Sequence, residues 1–220
     1  MAVPKFVVLV RHGESESNTK DKFTAVSYGA PKIPLTELGR KQAKITGAYL
    51  RDRFGAFDRY FSSYFLRACD TMAIMYPEAL IEEDALLSEC GFGVRDMFER
   101  EEFAKRFPEE ERRKNLEGLY YHRPPGGENA LDVEHRVRTF FNELVRICYA
   151  REHILIVGHG TWITLFRKYI EGWTVKEFEE KWAEAHPKNA SVLVYERKCV
   201  QGRQKLVFAD YVIPWQNAVS

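Results

Sequence analysis

The sequence predicts an α/β fold, a three-layer α/β/α sandwich around a mainly parallel sheet. Apolar runs at residues 6–10 and 154–157 are nearly continuous, as expected for strands covered on both faces. Short strand-like segments alternate with helical ones between them, the pattern of parallel strands joined by crossovers. The length of 220 residues and a 45% hydrophobic content suit a single domain over residues 1–220.

Each element has a local reason. Residues 5–10 form the first strand, and a loop rich in Ser, Thr, Gly and Pro follows from about residue 15 to 34. Thr36 caps a helix, with Glu37 in its first turn and Leu38, Ala43, Ile45 and Leu50 facing inward. Gly55 ends that helix, and Tyr60-Phe61-Ser62 is a short second strand. Residues 65–76 read as a helix stopped by Pro77, and Leu80-Ile81 as a third strand. Residues 94–123 are densely charged, with Phe98, Phe103, Phe107, Leu116, Leu119 and Tyr120 interspersed. That is too little apolar surface for a separate core, so the stretch reads as a helical insert over the sheet. Pro124-Pro125-Gly126-Gly127 makes a turn. Residues 132–150 form the clearest helix, with Val133, Val137, Phe140, Leu144 and Ile147 at helical spacing. Helices at 161–171 and 174–184 and two closing strands at 191–195 and 205–213 complete the chain, with Gln201-Gly202-Arg203 near the last turn.

Composition excludes several classes of function. A net charge of +1 gives no field that would favour nucleic acid or an acidic membrane. No apolar run is long enough to span a bilayer, and the first residues lack the pattern of a signal peptide. Cys69, Cys90, Cys148 and Cys199 are scattered, which argues against zinc ligation and disulfides and for a reducing, cytoplasmic setting.

The chemistry concentrates at two strand ends. Arg11-His12-Gly13-Glu14 follows the first strand, and Gly158-His159-Gly160 follows the strand at 154–157. Ligands of open α/β sheets bind at such carboxyl ends. His12 is a feasible nucleophile when its imidazole is neutral. Arg11 offers a planar fork that matches phosphoryl oxygens, and Ser15, Ser17 and Asn18 can add neutral donors. Gly160 opens a helix whose first free N–H groups favour an anion. Arg67 follows the second strand and can point to the same rim or pair with Asp70; His159 can serve the site or sit satisfied in the core.

The motifs resemble the histidine phosphatase superfamily, the phosphoglycerate mutase-like proteins. The likeness rests on Arg11-His12-Gly13-Glu14-Ser15 with Asn18, Pro34-Leu35-Thr36-Glu37-Leu38-Gly39-Arg40, Ser63 with Arg67-Ala68 and Thr71, Pro125-Gly126-Gly127-Glu128, and Val157-Gly158-His159-Gly160. It implies a phosphoglycerate mutase-like fold, with the insert over the active site. It also implies that His12 takes up the phosphoryl group as phosphohistidine while Arg11, Arg67 and His159 hold its oxygens. Glu89 corresponds to the acid that protonates the leaving oxygen and later activates water. Asn18, Ser15, Thr24, Ser63 and Gly160 are the candidate substrate contacts. No metal or cofactor is implied for a phosphatase; 2,3-bisphosphoglycerate would be needed by a mutase. The expected partner is a small phosphorylated substrate, with no nucleic acid and no membrane.

The sequence also departs from the mutase pattern. Phe23-Thr24-Ala25-Val26 stands where mutases often carry Phe-Thr-Gly-Trp, Ser63-Tyr64 replaces Ser-Pro, and the insert is of the shorter type. Arg112-Arg113 could substitute for the basic pair of a larger insert, but such a pair on a charged helix reads as a solvated face. His122-Arg123 could touch substrate but reads rather as plain surface; His135, His153 and His186 read as structural or exposed. Hydrolysis of a phosphomonoester is therefore the leading expectation. A cofactor-dependent phosphoglycerate mutase and a catalytically silent phospho-ligand binding module are the alternatives.

Overall fold

The computed structural model describes residues 3–19, 30–98, 100–149 and 152–216. Its strands are β1 (Phe6–Arg11), β2 (Arg59–Ser62), β3 (Ile81–Glu83), β4 (His153–Gly158), β5 (Val192–Val200) and β6 (Arg203–Val212). They form one sheet in the order β3-β2-β4-β1-β5-β6. β1 to β4 run parallel, and only β5 opposes its neighbours. The helices are α1 (Glu37–Phe54), α2 (Leu66–Met75), α3 (Arg100–Arg106), α4 (Pro108–Tyr121), α5 (Ala130–Ile147), α6 (Gly160–Glu171) and α7 (Val175–Ala185).

The alternation of side chains along β1 explains the three layers. Val8 and Val10 pack with Ala43, Leu50, Ala68 and Met72 from α1 and α2. Val7 and Leu9 point the other way, into a core with Val133, Val137 and Phe140 of α5 and Trp162 and Phe166 of α6. The expected sandwich is thus observed, with every helix and strand near its expected place.

Some expectations are corrected. Leu38 and Ile45 are only half-buried; α1 turns Gly39, Gln42, Ala43, Thr46, Gly47 and Leu50 inward. This face is small because α1 lies close to α2: a Cβ on Gly47 would come 2.7 Å from the Met75 Cα. Thr36 caps α1 as expected, accepting from the Gly39 amide at 3.0 Å. The closing turn is Gln201-Gly202, both at positive φ, and Arg203 already belongs to β6.

The insert is helical, as expected. Phe98, Phe103 and Phe107 pack on one another, with Phe103–Phe107 centroids 5.0 Å apart. Its far end is anchored by Tyr120, whose hydroxyl donates to Glu134 at 2.7 Å; Lys168 of α6 pairs with the same carboxylate at 2.8 Å. Among the described residues, no helix is long and apolar enough to cross a membrane.

Candidate active site

The register of the sheet builds the site. β1 and β4 pair in parallel from Phe6↔His153 to Arg11↔Gly158, so His12 and His159 leave adjacent strands at the same height. The His12 amide donates to the Gly158 carbonyl at 3.0 Å, and the two imidazole centroids are 5.1 Å apart. β2 pairs with β4 through Ser62↔Val157, which brings Ser63 and the start of α2 to the same rim. Arg67, in the first turn of α2, is thereby placed against His12 rather than Asp70, which pairs with Arg40 at 3.3 Å.

The tautomer of His12 follows from its two partners. Nδ1 lies 2.7 Å from the Gly13 carbonyl, which can only accept. Nε2 lies 3.2 Å from Arg67 Nε, whose N–H can only donate. The ring proton is therefore on Nδ1 and the lone pair on Nε2. Burial, then the charges of Arg67 and Arg11, hold the His12 pKa well below its ordinary value, against a smaller opposing effect of the Gly13 hydrogen bond. His159 is depressed for the same reasons, burial first and Arg67 second. Its Nε2 lies 2.9 Å from Ser63 Oγ. The resting site thus holds neutral imidazoles beneath permanent cations.

Those cations are costly to bury. Burial lowers the Arg67 pKa to about 10 and also depresses Arg11, while the negative charge of Glu89 opposes both shifts. Arg11 donates to the Pro187 carbonyl at 2.7 Å and Arg67 to the Ala30 carbonyl at 2.8 Å. Among the described residues, neither guanidinium forms a salt bridge, and Arg11 Nε and His159 Nδ1 are buried without a hydrogen-bond partner.

A cavity of about 370 Å³ opens above this set, lined by Arg11, His12, Asn18, Arg67, Glu89 and Thr161 among others. Glu89 is held by backbone amides, with Cys90 N at 2.9 Å and Thr161 N at 3.4 Å. Ser15 does not line the cavity; it is fully buried and accepts no role beyond fixing the loop, its hydroxyl bonding to Asn18 Oδ1 at 3.0 Å. Ser63 is likewise buried and meets the site through His159. Gly160 is packed beneath the His186 ring, where a Cβ would come 2.2 Å from Nε2. Thr24 lies outside the described residues.

A scan against protein families places residues 7–208 in a single match, the histidine phosphatase superfamily (branch 1). The chain belongs to the histidine phosphatase superfamily. A curated relative, 2,3-bisphosphoglycerate-dependent phosphoglycerate mutase 2 of Gloeobacter violaceus, is 33% identical over 166 residues, covering 71% of each chain. The phosphoglycerate mutase-like protein AT74H of Arabidopsis thaliana is 31% identical over 202 residues, covering 80% of this chain and 69% of its own. Among solved structures, Bacillus stearothermophilus YhfR superposes with a TM-score of 0.77 at 21% identity, covering 95% of this chain and 98% of that one. The α-ribazole phosphatase from Shigella flexneri gives 0.74 at 22% identity, with 92% and 95% coverage. These structural likenesses establish a shared fold.

In this member of the superfamily, several residues near the site escaped the sequence reading. Arg136 of α5 spans the acid loop: Nη1 donates to the carbonyls of Leu86 and Ser88 at 3.0 and 2.8 Å, and Nη2 to that of Glu89 at 3.4 Å. Glu128 grips both Arg136 and the Gly91 amide, at 2.9 and 3.0 Å. An arginine between Val133 and Val137 on the apolar stripe of a helix was the available signal. Asn189 donates to the His12 carbonyl and to Asn18 Oδ1, both at 3.1 Å. His186 lines the cavity instead of serving as a surface residue, and burial, Arg11 and Lys188 lower its pKa to about 4. No sequence pattern announced it. The segment around these residues ties down the nucleophile loop. Ala190 N reaches the carbonyls of Arg11 and His12 at 3.0 and 3.2 Å, and the Arg11 amide donates to Ser191 O at 3.3 Å. By contrast, Arg112 and Arg113 pair with Glu109 and with Glu110 and Glu117 on the insert surface, as read.

Proposed function

We propose that this protein hydrolyses phosphomonoesters through a phosphohistidine on His12. The supporting observation is the forced tautomer: a buried, neutral imidazole presents its Nε2 lone pair to the Arg67 guanidinium at the base of a cavity that Arg11 also lines. The substrate phosphoryl group takes the place in front of Nε2, and the N–H groups of Arg67 and Arg11 turn to its oxygens. A P–N bond forms as the P–O bond to the alcohol breaks, and Glu89, which takes up a proton from solvent as the dianionic substrate binds, gives that proton to the departing oxygen. Glu89 then takes a proton from water, whose oxygen attacks phosphorus. The P–N bond breaks, inorganic phosphate leaves, and neutral His12 is restored. Positioned cations and His159 supply the stabilisation of the transferring group, so the reaction needs no metal. Asn18 is a neutral contact to the same oxygens. Four free cysteines suit a reducing, cytoplasmic location.

The decisive experiment is rapid-quench labelling with a [³²P]phosphomonoester. An acid-labile phosphoenzyme that disappears in His12→Asn, with phosphate released in EDTA as fast as without it, is the expected result. Turnover by His12→Asn at the wild-type rate overturns the assignment. The same labelling separates an enzyme from a silent phospho-ligand binding module, which would form no phosphoenzyme.

A second reading is supported by the mutase names of relatives about a third identical to this chain. In it, the phosphoryl group returns from His12 to a reoriented product, primed by 2,3-bisphosphoglycerate. Interconversion of 3- and 2-phosphoglycerate without net phosphate release would select that reading.

A further inference from the structure

The phosphoryl group fills only the base of the cavity. The wall rising away from Arg11 and Arg67 is aromatic, built from Phe92 and Phe98 beside the insert and Trp182 of α7. Phe92, Arg95 and Trp182 also line a second, smaller cavity of about 60 Å³, which therefore adjoins the catalytic one. Leu119, Pro124 and Phe178 give that side pocket its apolar lining, with Lys114 and His122 also at its wall. Phe178 is fully buried, and Trp182 packs on it at a centroid distance of 5.3 Å. The position of Leu119 is fixed by its neighbour: the Tyr120 amide donates to Glu179 of α7 at 3.1 Å, closing the insert onto α7. The guanidinium of Arg95 marks the junction, 5.7 Å from the centroid of the Phe92 ring.

From this continuity we infer that the side pocket takes the distal part of the leaving alcohol, and that the substrate is a phosphomonoester of an alcohol with an apolar body. The inference rests on the hydrolytic reading above and deepens it. A compact polyanion such as a phosphorylated hydroxy acid would leave the rings of Phe92, Phe98 and Trp182 facing water and would not cover the apolar lining of the pocket beyond them. An apolar chain or ring would displace that water, and the binding would grow with the area covered. Because the reacting phosphorus is already fixed by the cations, added contact along the wall improves capture of the substrate without altering the chemical step.

The n-alkyl phosphates from ethyl to octyl isolate this effect, because their leaving alcohols are nearly equal in acidity. The expected result is a rise in kcat/KM of up to about fourfold per added methylene, the value of burying one CH₂, followed by a plateau once the pocket is full. Leu119→Trp should bring the plateau to shorter chains and Leu119→Ala should carry it to longer ones. A flat series in a protein that hydrolyses ethyl phosphate overturns this inference and leaves hydrolysis standing. A series that rises but is unmoved by both Leu119 variants overturns the assignment to the side pocket. Absence of hydrolysis across the whole series, together with no labelling of His12, overturns both readings.

Discussion

The rim of the sheet and the insert above it use the same residue types in opposite ways. On the insert, Arg106 pairs with Glu102, Arg112 with Glu109, and Arg113 with Glu110 and Glu117, all within one or two helical turns and all near the surface. On the rim, Arg67 is buried and Arg11 half-buried; they donate to carbonyls and to His12, and meet no carboxylate in a salt bridge among the described residues. The insert neutralises its charge locally, where solvent screens what is left. The rim leaves two cations with Glu89 near but not paired to them, in a setting where water screens them poorly, so an incoming dianion supplies what the fold withholds. A charged residue is informative here by what it fails to pair with.

The sharpest way to break that comparison is to remove the rim's nucleophile. His12→Asn should lower phosphomonoester turnover by on the order of 10⁴-fold or more, measured as phosphate release. Next, Arg67→Lys keeps the charge and loses the fork; kcat should fall roughly 10²- to 10³-fold with the fold intact by circular dichroism. Arg136→Gln tests whether the cradle around the acid loop serves Glu89. Alkyl phosphates, which need a proton on the leaving oxygen, should slow by roughly 10²-fold, while 4-nitrophenyl phosphate, with its good leaving group, should barely change. Equal losses on both substrates would mean that Arg136 only holds the fold. At the small end, Arg113→Ala on the insert should leave both the urea unfolding midpoint and kcat almost unaltered. A large loss there would erase the distinction between the two regions.

The buried imidazoles make the comparison visible in pH as well. His12 and His159 are depressed in the fold, and His186 is lowered to about 4. Below the ordinary histidine range the unfolded chain then binds more protons than the native one. Stability should therefore be fully present above pH 6.5 and fall on acidification, by up to about 1.4 kcal/mol per pH unit for each such histidine. Urea unfolding between pH 7 and 5 measures this slope, and His12→Asn should reduce it. Inorganic phosphate should restore stability more strongly at the lower pH, because an anion favours the imidazolium.

Much of this was legible in the sequence, for identifiable reasons. The two apolar runs could only be covered strands, and a parallel register necessarily delivers the motifs behind them to one rim. That Arg67 could reach the same rim was legible because its helix begins directly after β2. The inward face of α1 was misread, since Gly39, Gln42, Thr46 and Gly47 carry no apolar signal; their burial follows from how closely α2 approaches. Ser15 and Ser63 looked like ligand contacts because hydroxyl groups near a site suggest donors, yet both are consumed by neighbouring side chains. Asn189 was invisible because a contact between residue 12 and a segment more than 170 positions away leaves no local pattern, and the packing of His186 over Gly160 is equally non-local.

That last separation bears on how the protein is made. Residues 187–191 close around Arg11 and His12 through the Pro187 carbonyl, the Asn189 side chain, the Ala190 amide and the Ser191 carbonyl. A ribosome emits residue 12 long before these clamps. Until they emerge, the loop that carries the imidazole lacks the partners that seat it, and truncation before residue 187 should leave His12 unseated. The seat closes only when the strand that runs against all the others docks beside the first.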